Sequence, residues 1–104
     1  MKSKLTARFR TCFKKLPADT RRLALQSYTL WSSDPKHPSL HFKPVHPKHF
    51  NVWSVRVGAD FRALALVEND IAKWFWVGTH KEYDSILANL KAVAKGTSQK
   101  KKND

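Results

Sequence analysis

Hydrophobic and polar residues alternate with period two from Trp53 to Val77, and the pattern breaks at Gly58-Ala59-Asp60 and again at Glu68-Asn69-Asp70. Such alternation predicts half-buried strands, so this stretch reads as three antiparallel strands joined by tight turns. Upstream the period changes. Leu5, Phe9, Cys12, Phe13 and Leu16 recur at helical spacing until Pro17 interrupts them, which predicts a helix from about Leu5 to Leu16. A second helix follows at once. Pro17 suits its first turn, Asp19 lies near the positive end of its dipole, and Leu23, Ala24, Tyr28, Leu30 and Trp31 form its apolar stripe before Ser33-Asp34-Pro35 stops it. Between Pro35 and Pro47 only Ser39 to Val45 has room for a strand, placed at an edge because Pro44 cannot donate to a ladder. Thr79 and Glu82 have the spacing of a capping box, and Tyr83, Ile86, Leu87, Leu90 and Val93 then mark one face of a last helix from His80 to about Ala94.

The order helix, helix, four strands, helix predicts an α+β fold. An N-terminal helical hairpin packs on a small antiparallel four-stranded sheet, a C-terminal helix completes the chain, and the helices share one face. Residues 1–94 make one domain, and residues 95–104 read as a basic disordered tail.

Symmetric closure of the first turn pairs Val57 with Phe61 and sets Arg56 directly opposite Arg62. Like charges opposed across a ladder destabilise it, so the pair is either splayed into water or held for an anion. The same register carried onward brings Trp76 beside Arg62 and Trp74 beside Leu64, mixing guanidinium groups with aromatic planes. The other face, with Trp53, Val55, Val57, Phe61, Ala63, Ala65, Phe75 and Val77, is apolar and receives the helices.

Charge narrows the partners. Lys and Arg number 20 against 8 Asp and Glu, a formal net charge of +12 with a pI near 10.2. That imbalance favours polyanions: nucleic acid, an acidic protein or, least of the three, an anionic membrane. No run approaches the ~18 apolar residues of a spanning helix, and MKSKLTARFR has no signal-peptide core, so the expected compartment is the cytoplasm. The lone Cys12 rules out a disulfide framework within the monomer. His37, His41, His46 and His49 lack paired ligand spacing, so neither a metal nor another cofactor is expected.

Four blocks carry a family resemblance: FKKLP at Phe13 to Pro17, DPKHPSLHFK at Asp34 to Lys43, WSVRVGADFRAL at Trp53 to Leu64, and WFWVGTHKEYD at Trp74 to Asp84. In this order and spacing they resemble the RelE/ParE superfamily, the small basic toxins of type II toxin-antitoxin modules. The resemblance implies a compact sheet with a helical hairpin, often preceded by an N-terminal strand. Only Met1 to Leu5 could supply that strand here, and it lacks alternation, so a missing strand or a stub is expected.

Many RelE-like members are ribosome-dependent endoribonucleases that cut mRNA, whereas ParE-like members act on DNA gyrase without cleaving nucleic acid. Metal-free RNA cleavage needs a base for the 2′-hydroxyl, cations around the phosphorane and an acid for the departing 5′-oxygen. The resemblance puts Arg56 and Arg62 on the scissile phosphate and a His or Tyr where His80 and Tyr83 stand. His80, just past the Thr79 cap, sits where the helix dipole favours the neutral imidazole of a general base. Lys43, His46, Lys48 and His49 fall in a loop where relatives carry further basic residues. Lys43, Lys48, His49, Trp76 and Lys81 are the expected RNA contacts.

Blander readings stand beside these: solvated arginines, a surface histidine at a helix start, a core tyrosine, and tryptophans that only pack. Expected partners are a cognate antitoxin and mRNA on the ribosome, with direct operator contact left to the antitoxin. A gyrase inhibitor and a non-catalytic RNA- or protein-binding module remain the alternatives.

Overall fold

The computed structural model describes residues 1–45 and 51–89. A five-stranded mixed sheet has the order β1-β5-β4-β3-β2, with β1 at Lys2–Leu5, β2 at Lys43–Pro44, β3 at Val52–Val57, β4 at Phe61–Glu68 and β5 at Ile71–Thr79. Helices α1 (Ala7–Lys14) and α2 (Ala18–Ser33) form the expected hairpin, and a third helix, α3, starts at His80 and runs through residues 80–89. The fold is α+β as expected, with one strand more than the pattern predicts. The expected tail, residues 95–104, lies outside the described residues.

The additional strand is β1, which pairs in parallel with β5 from Lys2 opposite Ile71 to Leu5 opposite Trp74. Alternation could not reveal it, because β1 is an edge strand exposed along most of its length and is held mainly by backbone bonds. Lys2 N–H donates to the Asp70 carbonyl and Thr6 N–H to that of Trp74. Ser3 Oγ adds a side-chain anchor, accepting from the indole N–H of Trp74 at 3.1 Å and the Tyr28 hydroxyl at 2.8 Å. Beyond Leu5 the chain turns into α1, which packs along β5.

The Ser39–Val45 strand contracts to two residues. Pro38–Leu40 instead forms a 3-10 turn, in which the Ser39 N–H donates to Nδ1 of His37 and whose end is marked by His41 at φ 47°. This turn carries Leu40 into the core, where it is 1 % exposed.

The β3–β4 register is the one the first turn predicts, Val57 with Phe61 and Arg56 with Arg62. Gly58 makes that turn possible twice over: its φ is +61°, and Leu23 Cδ1 lies only 3.0 Å from where a side chain would begin.

The β4–β5 register departs from expectation by two residues, for two separate reasons. The turn is a two-residue one, with Asn69 (φ 53°) and Asp70 (φ 62°) both left-handed and Glu68 paired with Ile71. A bulge then intervenes: Ala65 faces Trp74 while Leu64 faces Trp76, so Phe75 is the unpaired residue. As a result Gly78, not Trp76, stands opposite Arg62.

The bulge also separates the two tryptophans. Trp74 joins Val55, Val57, Ala63, Ala65, Ala72 and Val77 against the hairpin residues Leu16, Ala24 and Trp31. Trp76, with Phe75 packed nearby, falls on the other face with Val52, Leu64 and Tyr83, where Ile86 and Leu87 of α3 close over them. The helices therefore cover both faces of the sheet, contrary to the one-face arrangement predicted. With strand side chains alternating, Arg62 belongs to the α3 side.

Candidate functional site

The chemistry collects where β5 runs into α3. Thr79 is both the last residue of the strand and the cap of the helix: its Oγ accepts from Glu82 N–H at 3.1 Å, while Glu82 Oε1 accepts from the Thr79 N–H and Oγ–H, each at 2.9 Å. These two bonds, the backbone one first, hold the Glu82 carboxyl below its ordinary value against a smaller opposing effect of burial. The His80 N–H donates to the Asp60 carbonyl at 2.7 Å, pinning the start of α3 to the β3–β4 turn. The helix tip, the hairpin turn and the ends of β4 and β5 thus form one rigid corner.

Arg62 projects into that corner. Its Nε–H donates to Nδ1 of His80 at 3.3 Å, and its guanidinium carbon lies 5.3 Å from the centre of the Tyr83 ring. The fixed fork of a guanidinium suits both contacts at once, an in-plane donor to the imidazole and a face against the phenol. His80 and Tyr83 have ring centres 5.7 Å apart and planes tilted by 44°. On its far side the imidazole Nε2 lies 3.5 Å from Oδ1 of Asp84. Arg62 Nη1 is buried and has no hydrogen-bond partner among the described residues, an unspent donor beside an exposed histidine.

Arg56 does not join them. Its Nε–H is bound to the Gly58 carbonyl at 2.9 Å, and it lines a separate groove with Gln26, Ser27, Leu30, Ser39 and Leu40. The backbone opposes the two arginines, yet the side chains part. This outcome lies in the rotamers, which the register leaves open.

The remaining expected residues are distributed as follows. Tyr83 is 8 % exposed and Trp76 7 %, so both are mainly packed into the cluster under α3. Trp76 lies across Gly78: a Cβ there would come within 2.5 Å of its Cζ2. Lys81 is exposed on α3. Lys43 is exposed on β2 and pairs with Ser54, two residues along β3 from Arg56. His46, Lys48 and His49 lie outside the described residues. Asp84 is the site neighbour that the strand pattern did not single out; its signal is the i,i+4 spacing from His80. Among the described residues no three His, Cys, Asp or Glu side chains are grouped as a metal site, and no helix is long and apolar enough to cross a membrane.

No protein-family model matches the chain, and neither does any curated protein. Solved structures do. The RelBE2 toxin-antitoxin complex from Mycobacterium tuberculosis contains a chain with TM-score 0.61 and 17 % identity, over 76 % of this chain and 96 % of that one. The RelB-RelE antitoxin-toxin complex from Methanococcus jannaschii gives TM-score 0.60 and 23 % identity, over 79 % and 96 % of the two chains. A YoeB/ParE toxin from Agrobacterium tumefaciens gives 0.60 and 15 %, over 77 % and 99 %. Coverage of 96 to 99 % of each of those chains means that the likeness spans their whole fold. The chain has the RelE-like toxin fold.

Proposed function

We propose that this protein is the toxin of a type II toxin-antitoxin module and cleaves mRNA without a metal, on the ribosome. The fold it shares with RelE and YoeB/ParE toxins supports the toxin role. The observation that carries the nuclease reading is the Arg62–His80 pairing, a guanidinium with an unspent N–H beside an imidazole.

A phosphodiester entering the corner meets Arg62 first. As the guanidinium swings outward, it uncovers the buried Nη1 and turns it with Nε to the phosphate oxygens, and His80 Nδ1 is released to take the proton of the adjacent 2′-hydroxyl. O2′ bonds to phosphorus, negative charge grows on the equatorial oxygens against Arg62, and the bond to O5′ breaks as that oxygen takes a proton from solvent water. The products are a 2′,3′-cyclic phosphate and a 5′-hydroxyl. Tyr83 acts as the platform that keeps the guanidinium plane in place. Lys43 and Lys81 extend the positive surface along which the RNA backbone lies.

The natural partner in this reading is a cognate antitoxin that covers the basic surface, and the compartment is the cytoplasm. Association would be fast and salt-sensitive, given a net charge of +12. One observation favours the gyrase-inhibitor reading instead: with Arg56 held on Gly58, the corner presents one guanidinium and not two.

Induced expression separates the readings. The nuclease arrests translation and leaves transcripts cut within codons, and His80→Ala, still folded, loses that effect. Full toxicity of the folded His80→Ala variant would refute the assignment. DNA breaks and an SOS response with intact messages would establish the gyrase reading, and absence of any growth effect the non-catalytic module.

A further inference from the structure

The His80 ring accepts a hydrogen bond from Arg62 at Nδ1, and its Nε2 lies 3.5 Å from the Asp84 carboxylate, a contact longer than a hydrogen bond. Accepting the Arg62 Nε–H requires Nδ1 to be unprotonated, which places the proton of the neutral ring on Nε2, the atom that faces Asp84 at 3.5 Å. The two partners come from different elements. Arg62 reaches across from β4, while Asp84 lies four residues along α3, on the helix face that His80 itself occupies. The capping box orients this first turn, and the bond from His80 N–H to the Asp60 carbonyl fixes its distance from the sheet.

We infer that Asp84 is a positioning residue for His80, which keeps Nδ1 directed at the Arg62 corner and stabilises the imidazolium formed when Nδ1 takes a proton. The consequence for catalysis rests on the nuclease reading; the geometry does not. When Nδ1 gains the 2′-hydroxyl proton, the new positive charge is shared with Nε2–H, which then faces a carboxylate. Asp84 stays ionised and no proton passes to it. A contact of 3.5 Å tightens as the ring becomes charged, as catalytic hydrogen bonds do on reaching the reactive complex. The charged groups facing the ring are Arg62 and Asp84, and Tyr83 packs beside it. Both side chains of the pair are about half exposed, 48 % and 61 %, so water screens the interaction and the expected effect is about two- to fivefold, far below that of a buried triad carboxylate.

The test is a double-mutant cycle read in kcat on ribosome-bound message, with circular dichroism and melting temperature matched among variants. Asp84→Ala is expected to lower kcat about two- to fivefold at unchanged KM, Asp84→Glu to restore part of it, and Asp84→Ala to have no further effect in the His80→Ala background. Equal losses in both backgrounds would mean a structural role and overturn the inference. A second arm needs no activity. In protein labelled with ¹⁵N, the His80 Nε2 resonance is expected to move on Asp84→Asn; an unchanged resonance overturns the inference whether or not RNA is cut. A moved resonance in a protein that cleaves nothing sustains the positioning role and removes the nuclease reading instead.

Discussion

Arg56 and Arg62 stand directly opposite one another in the β3–β4 ladder, yet their guanidinium groups go to different neighbours. Arg62 turns to His80 and Tyr83 under the tip of α3, and Arg56 folds back onto the Gly58 carbonyl at the turn. Parting relieves the repulsion that two facing cations would suffer on one sheet face. It also leaves them in unequal surroundings.

On the proposed nuclease reading, Arg62→Ala is expected to reduce cleavage by a factor of about 100 or more, the scale seen when a donor to a developing oxyanion is removed. Arg62→Lys should recover little of it, because an ammonium offers neither the in-plane Nε–H nor a flat face for Tyr83. Arg56→Ala should cost less than Arg62→Ala. Single-turnover cleavage rates of the three variants check the ranking, and an Arg56→Ala loss as large as that of Arg62→Ala would contradict it.

Gly78 is the position where packing leaves no room for a side chain. A Cβ would sit 2.5 Å from Trp76 Cζ2 and 2.9 Å from Glu82 Oε1. Gly78→Ala should destabilise the protein by about 1–3 kcal/mol through overpacking. The effect is measurable as a lower urea midpoint at unchanged slope. The Glu82 carboxylate, at the end of a flexible side chain, can move aside, but the Trp76 ring is buried and cannot swing away cheaply, and that contact makes the substitution costly.

The capping box makes a prediction in pH. Because the folded protein holds the Glu82 carboxyl below its ordinary value of 4.5, its contribution to stability is complete above that value and disappears as pH falls through the lower folded value. Glu82→Gln should accordingly be less stable than the parent at neutral pH, with the gap closing in acid below about pH 4. Denaturant titrations at neutral pH and at about pH 3 check the sign. Thr79→Ala removes the other half of the box and should cost about 1 kcal/mol.

Much of the corner was legible beforehand. Symmetric closure of the Gly58-Ala59-Asp60 turn, taken as an assumption, gives the Arg56/Arg62 register that the ladder has. The Thr79/Glu82 spacing placed the start of α3 and with it His80 and Tyr83. The hairpin was legible too, from Pro17 between two apolar stripes. The strand β1 was not, because its partner lies about seventy residues away and the bonds that hold it are mostly backbone bonds, which every residue type can make.

What the linear order of residues determined by itself is local: the helix periods, the capping box, the Gly58 turn and the net positive charge. Each depends on neighbours within a turn or a hairpin, where steric and hydrogen-bonding preferences act over a few residues. Tertiary structure decided the rest. A two-residue turn and a bulge at Phe75 together shifted β5 by two places and sent Trp74 and Trp76 to opposite faces. The covering of the second face by α3 then placed Tyr83 beneath the Arg62 guanidinium. Strand parity is a cumulative count, so one unpaired residue changes the face of every side chain beyond it. Only the packing of two cores against opposite sides of the sheet resolves that count.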